Sequence, residues 1–73
     1  GARRGSGGPV RLTPRQLECL KWAGEGKSSV DIASILGISP ATVDGHIAEA
    51  CMRLGVRTRI QAIVEVYRRG WLQ

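Results

Sequence analysis

Residues 28–55, SSVDIASILGISPATVDGHIAEACMRLG, contain two helix starts and two helix stops separated by almost nothing. Ser28 is a good N-cap, and Asp31 falls at the third helical position, where an anion favours the helix dipole. Ile32, Ala33, Ile35 and Leu36 give this first helix an apolar face, and Gly37 suits the left-handed residue that ends it. Ser39-Pro40-Ala41-Thr42 is a second start: a capping serine, then proline at the first helical position, where its missing N–H costs nothing. Ile38 and Val43 are spaced as a hydrophobic staple across that start. Val43, Ile47, Ala50 and Leu54 then recur at i, i+4, i+7 and i+11, a single helical stripe ended by Gly55. Asp44, Gly45, Ala48, Glu49, Met52 and Arg53 fall on the other side. Only Gly37-Ile38-Ser39 separates the two helices, which is the helix-turn-helix signature. In that arrangement the second helix enters the DNA major groove with its N-terminal turns toward the bases. A small helical bundle with no DNA partner has the same caps and short turns, so pattern alone leaves both readings open.

Outward from this core the punctuation continues. Thr13-Pro14-Arg15-Gln16 reads as a capping box with Leu12 and Leu17 as its staple. It opens a helix that runs through Leu17, Leu20 and Ala23 and stops between Gly24 and Gly26. Thr58-Arg59-Ile60-Gln61 is a further capping box, and Gly70 closes the helix it opens. The expected fold is all-α, a compact domain of four helices. The last helix is apolar over too wide an arc. Ile60, Ile63, Val64 and Tyr67 form one patch, Ala62 and Val66 lie well around from it, and together they span roughly 200° rather than one buried face. The surplus calls for a second partner, and self-association is the simplest. Trp22 reads as a core or rim aromatic of the first helix. Trp71 is expected to fold back over the end of the last helix, with Arg68 and Arg69 facing solvent.

Seventy-three residues allow one domain with a small core, and with no Phe that core must be aliphatic. Residues 1–10, GARRGSGGPV, read as a flexible linker or a remnant of expression, leaving 11–73 as the domain. The lack of an initiating Met suggests a fragment or a processed chain. No signal-peptide pattern and no apolar run of about eighteen residues is present, so a soluble, cytoplasmic piece of a larger protein is expected. Cys19 and Cys51 stand apart with a single His, which argues against a metal site, and both read as small buried hydrophobes. No cofactor motif and no nucleophile–base pair supports an enzyme. The net charge is +5, but Arg3 and Arg4 in the leader supply two of those charges, so charge by itself is weak support for a nucleic-acid partner.

Many individual residues complete the picture. Leu12-Thr13-Pro14-Arg15, Glu18, Leu20, Gly26-Lys27-Ser28, Ile32-Ala33, Leu36-Gly37-Ile38-Ser39, Thr42-Val43, His46, Leu54-Gly55-Val56, Arg59 and Gln61-Ala62 resemble the LuxR-type (GerE- or NarL-type) DNA-binding domain over about residues 11 to 72. Trp22 and the Gly-Lys-Ser run are more similar to the acyl-homoserine-lactone receptor branch than to the phosphorylated response regulators. The resemblance implies a transcription regulator that binds double-stranded DNA. Helix 3 would lie in the major groove, and a homodimer joined through helix 4 would sit on an inverted repeat. It implies DNA contacts at Lys27 and Ser28, phosphate contacts at Thr42 and His46, and base contacts at Asp44, Gly45 and Ala48. It also implies a signal-sensing domain upstream.

The chain departs from this family where the family reads DNA. The positions of Asp44 and Ala48 commonly carry Lys or Arg, and Gln16 stands where Glu is usual. From Ser39 to Arg53 the formal charge is one unit negative. In one reading, Asp44 or Glu49 accepts a hydrogen bond from a cytosine amino group. Gly45 then admits a thymine methyl, while Lys27, Arg53, Arg57 and Arg59 hold phosphates. In the other, the domain binds DNA poorly and works as a protein-interaction module that pairs with a homologous regulator.

Overall fold

The computed structural model describes residues 10–72; the assignment of residues 1–9 to a linker lies outside the described residues. Four α-helices follow in order, α1 (Pro14–Gly24), α2 (Ser29–Leu36), α3 (Pro40–Leu54) and α4 (Arg59–Arg68). Each begins on a hydroxyl N-cap: Thr13, Ser28, Ser39 and Thr58 accept from the backbone N–H three residues on, at 3.1–3.2 Å. At Thr13 and Thr58 the reciprocal bond is present, with Gln16 Oε1 2.9 Å from the Thr13 N–H donor and Gln61 Oε1 3.0 Å from that of Thr58. Asp31, expected only to favour the dipole, also accepts from the Ser28 N–H at 3.4 Å, so α2 has a capping box as well. Gly37 and Gly55 both take φ +71°, the left-handed conformation that glycine adopts without a Cβ penalty.

α1 and α3 form the centre of the domain. Each packs on every other helix, whereas α2 and α4 flank the pair without packing on one another. Val43, Ile47, Ala50 and Leu54 are all buried, joined by Cys51 on the same helix. Opposite them lie Cys19 and Leu20 of α1, Ile32 and Ala33 of α2, and Ala62 and Val66 of α4. Because α1 is wedged among three partners, its buried side is wider than the Leu17–Leu20–Ala23 line suggests. Cys19 and Gln16 are inside, while Leu17 and Ala23 are half-buried. Gln16 can be buried because its carbonyl is spent on the Thr13 cap. Burial also pushes the Cys19 thiol above its ordinary range, partly offset by Arg15.

The C-terminal end is held by a cluster. The backbone N–H of Trp71 donates to the Val66 carbonyl at 3.0 Å, Arg69 lies over the Trp71 ring at 5.2 Å, and the Trp71 side chain packs against the core. Trp71 thus reaches beyond α4 and, with Val10, Arg11, Leu12 and Leu17, walls a shallow cleft at the start of α1. Val10 therefore packs with the folded body. Arg68 and Arg69 both bond Glu65, at 2.7 and 3.2 Å. Those hydrogen bonds, Arg69's foremost, lower the Glu65 carboxyl pKa. Its contribution to stability is present above the ordinary glutamate range and fades on acidification through the lowered value.

Replacing Thr58 by Ala should lower unfolding stability by about 1 kcal/mol through loss of its cap. Ile32→Ala, inside the core, should cost about 2–5 kcal/mol. Urea denaturation followed by circular dichroism separates the two, and equal losses would mean that the α4 cap is not an isolated local feature.

Candidate nucleic-acid interface

The short turn at Gly37–Ser39 sets α3 beside α2, and the stripe of buried residues decides which side of α3 turns outward. Ala41, Gly45, Ala48 and Met52 lie opposite that stripe and are exposed, Met52 by 76%. Thr42 and Glu49 border them on one flank. Gly45 sits mid-helix with nothing within 4 Å of the place a Cβ would occupy, so the outward side of α3 is low and small in its first three turns. Ser39 and Thr42 hydroxyls share a 2.8 Å hydrogen bond at the helix start. His46 is half-buried at the opposite flank from Asp44.

Both carboxylates of α3 are matched by arginines of the same chain. Asp44 Oδ1 accepts from Arg59 Nη2 at 3.2 Å and from the Ser29 hydroxyl, while Arg59 Nη2 also donates to Ser29 Oγ at 2.9 Å. Glu49 pairs with Arg53 one turn on, at 3.3 Å, and Arg53 Nη1 reaches the Arg11 carbonyl at 3.3 Å. The negative charge counted along α3 is therefore compensated locally. Exposed pairs of this kind are individually weak, but they cancel the field that an acidic helix would otherwise present.

Lys27 and Ser28 are exposed between α1 and α2, where the N–H groups of Lys27 and Glu25 both donate to the Trp22 carbonyl. The turn that carries them is made tight by Gly26, at φ +90°. On α4 the four residues expected to form one patch divide. Ile60, Val64 and Tyr67 are exposed by 72, 56 and 41%, whereas Ile63 is half-buried and packs against the core. Gly24 makes room for this: a Cβ there would stand 3.2 Å from Tyr67 Cε2 and 3.3 Å from Ile63 Cγ2.

Sequence reasoning missed Ser29 and Glu65. Neither residue carries a role in the sequence reading above. Only the i, i+3 and i, i+4 spacing of Glu65 to Arg68 and Arg69 could have pointed to its role.

Comparison with known proteins agrees with this geometry. A family model described as "Bacterial regulatory proteins, luxR family" matches residues 10–66. The transcriptional activator protein VanR of Vibrio anguillarum is 44% identical over 61 residues, covering 84% of this chain and 25% of its own length. The transcriptional activator protein LuxR of Aliivibrio fischeri is 54% identical over 52 residues, covering 71% of this chain and 21% of its own. The chain thus spans about a quarter or less of these relatives. The solved structure of the transcription factor GerE superposes with a TM-score of 0.82 at 40% identity, covering 85% of this chain and 92% of that one.

Gly45→Ala should raise stability by about 0.5–1 kcal/mol, since alanine is the better helix former and its methyl meets only open space. Thermal unfolding measures it; a drop in Tm would mean that the mid-helix backbone depends on glycine. Gly24→Ala should do the opposite, because Tyr67 and Ile63 must give way.

Proposed function

The chain belongs to the luxR family of bacterial regulatory proteins, and from that premise we propose that it reads a specific inverted-repeat DNA site as a homodimer. The family makes it a DNA-binding domain of a transcription regulator. Its relatives are named transcriptional activators, and the similarity of Trp22 and the Gly-Lys-Ser run to the acyl-homoserine-lactone receptor branch favours a regulator of quorum-sensing type. One observation carries the proposal. α3 is fixed by burial along one side and leaves Ala41, Gly45 and Ala48 bare on the other, a profile low enough over its first three turns to approach base edges closely. Small side chains there suit apolar contact with thymine methyl groups. Thr42 and His46 on the helix, Lys27 and Ser28 before α2, and Arg53 and Arg57 farther along supply groups for the phosphates that border the groove. Ile60 and Val64, with the exposed part of Tyr67, offer an apolar strip for a second copy, and Ile63 supports it from beneath. The signal-sensing part would lie upstream in the longer protein, and the place of action would be the bacterial cytoplasm.

The rival reading, a module that captures a homologous regulator without gripping DNA, was motivated by an acidic α3. With Asp44 and Glu49 each beside an arginine, that motive weakens.

Selection from random duplexes should recover a dyad-symmetric site with half-sites about one helical turn apart. Lys27→Ala should weaken binding to every duplex and lower the salt slope by about one. Val64→Asp should abolish binding to the dyad site while leaving the helical spectrum unchanged. Heterodimers with a related regulator, formed without any enrichment of DNA, would instead install the rival.

A further inference from the structure

Ser29, Asp44 and Arg59 meet where three helices come together, and the core does not require their contact. Ser29 is the first residue of α2, Arg59 the first of α4, and Asp44 lies in the second turn of α3. α2 and α4 do not pack on each other, so the Arg59 guanidinium, 2.9 Å from Ser29 Oγ and 3.2 Å from Asp44 Oδ1, spans a gap between them. At about 100° per residue, Asp44 is one step around from Val43 and one from Gly45, so it stands at the edge of the outward side of α3, next to Ala48. Its Oδ1 already accepts from two donors.

We propose that Asp44 is a positioning residue that controls the grip on DNA through Arg59, by holding the guanidinium that would otherwise bond a backbone phosphate. The inference rests on the DNA-binding reading above. Arg59 starts a helix beside the N-terminal half of α3, the end that leads into the groove, and a groove wall is a line of phosphates. A guanidinium placed there and left unpaired would bond phosphate bidentately whatever the base sequence. Paired with Asp44, it brings no net charge to that wall. The pair is open to exchange, since the Arg59 and Asp44 side chains are 36 and 61% exposed and an ion pair in water is weak. Asp44 thus suppresses the sequence-independent part of binding, which is electrostatic, and leaves discrimination to the outward side of α3. Glu49 is not equivalent: its arginine lies on the same helix and is also tied to the Arg11 carbonyl.

The test uses this chain and its Asp44→Asn variant, which keeps the size and the acceptor toward Ser29 but drops the charge. Each is titrated with a random-sequence duplex and with a selected duplex across a salt series, after thermal unfolding has shown both to be folded. Asp44→Asn should bind both duplexes more tightly and steepen the dependence of log K on log salt by about one unit. Its advantage should shrink by about 3.5-fold for each fourfold rise in salt. In an Arg59→Gln background the same substitution should leave the slope unchanged. An unchanged slope in the single variant, with preference altered at one base pair, would make Asp44 a base reader and overturn the inference. A steeper slope that persists without Arg59 would reduce it to plain charge repulsion, which also overturns it. If the unmutated chain binds no duplex at all, the DNA reading itself falls and takes this inference with it.

Discussion

α3 has to bury one side against three other helices while leaving the other side bare, and the rest of the domain is arranged around that requirement. Val43, Ile47, Ala50 and Leu54 meet residues from α1, α2 and α4 together, so no flanking helix can be displaced without exposing part of the same stripe. The alignment is fixed at the near end by Gly37 and the Ser39 cap, and at the far end by Gly55. A helix held at both ends and along one side can rotate very little. That rigidity means that the backbone behind the outward side of α3 is positioned by packing within the domain.

A chain of this size has little apolar surface to spare, and its use is revealing. Ala62 and Val66 spend one side of α4 on the core, and Ile63 fills the border where Gly24 leaves room. Ile60 and Val64 then remain largely in water. Exposed aliphatic residues scattered singly need no explanation, but these are one turn apart on a single helix and continue to Tyr67. The domain is thus organised with two outward faces of different chemistry: low and nearly neutral on α3, apolar on α4. Compensation of charge on α3 is what separates them in kind, since each of its carboxylates has an arginine at hand.

The parts of this architecture that were legible in the sequence are those with local causes. A serine or threonine N-cap answers to an N–H three residues away, a left-handed glycine answers to its own missing Cβ, and a stripe at i, i+4, i+7 answers to the pitch of one helix. The four starts and the buried line of α3 were therefore readable, and so was the surplus apolar arc of α4. The family likeness drew on the same residues. Gln16 was visible as a capping partner but not as a buried group, because its burial depends on α1 being wedged among three helices rather than lying on one.

What the sequence by itself determined, then, is where helices begin and end and which side of each is apolar. Tertiary structure alone decided the ion pair that joins two helices, Arg59 with Asp44. Asp44 reads as an acidic residue on a DNA-facing helix until Arg59, fifteen residues later, and Ser29, fifteen residues earlier, arrive beside it. Ile63 reads as one of four equal patch residues until Gly24 of α1 comes close enough to cover it. The physical reason is common to both: a helix sets the spacing of its own side chains, but which of them meet a partner depends on the angle at which separate helices pack, and that angle is fixed only when the core closes.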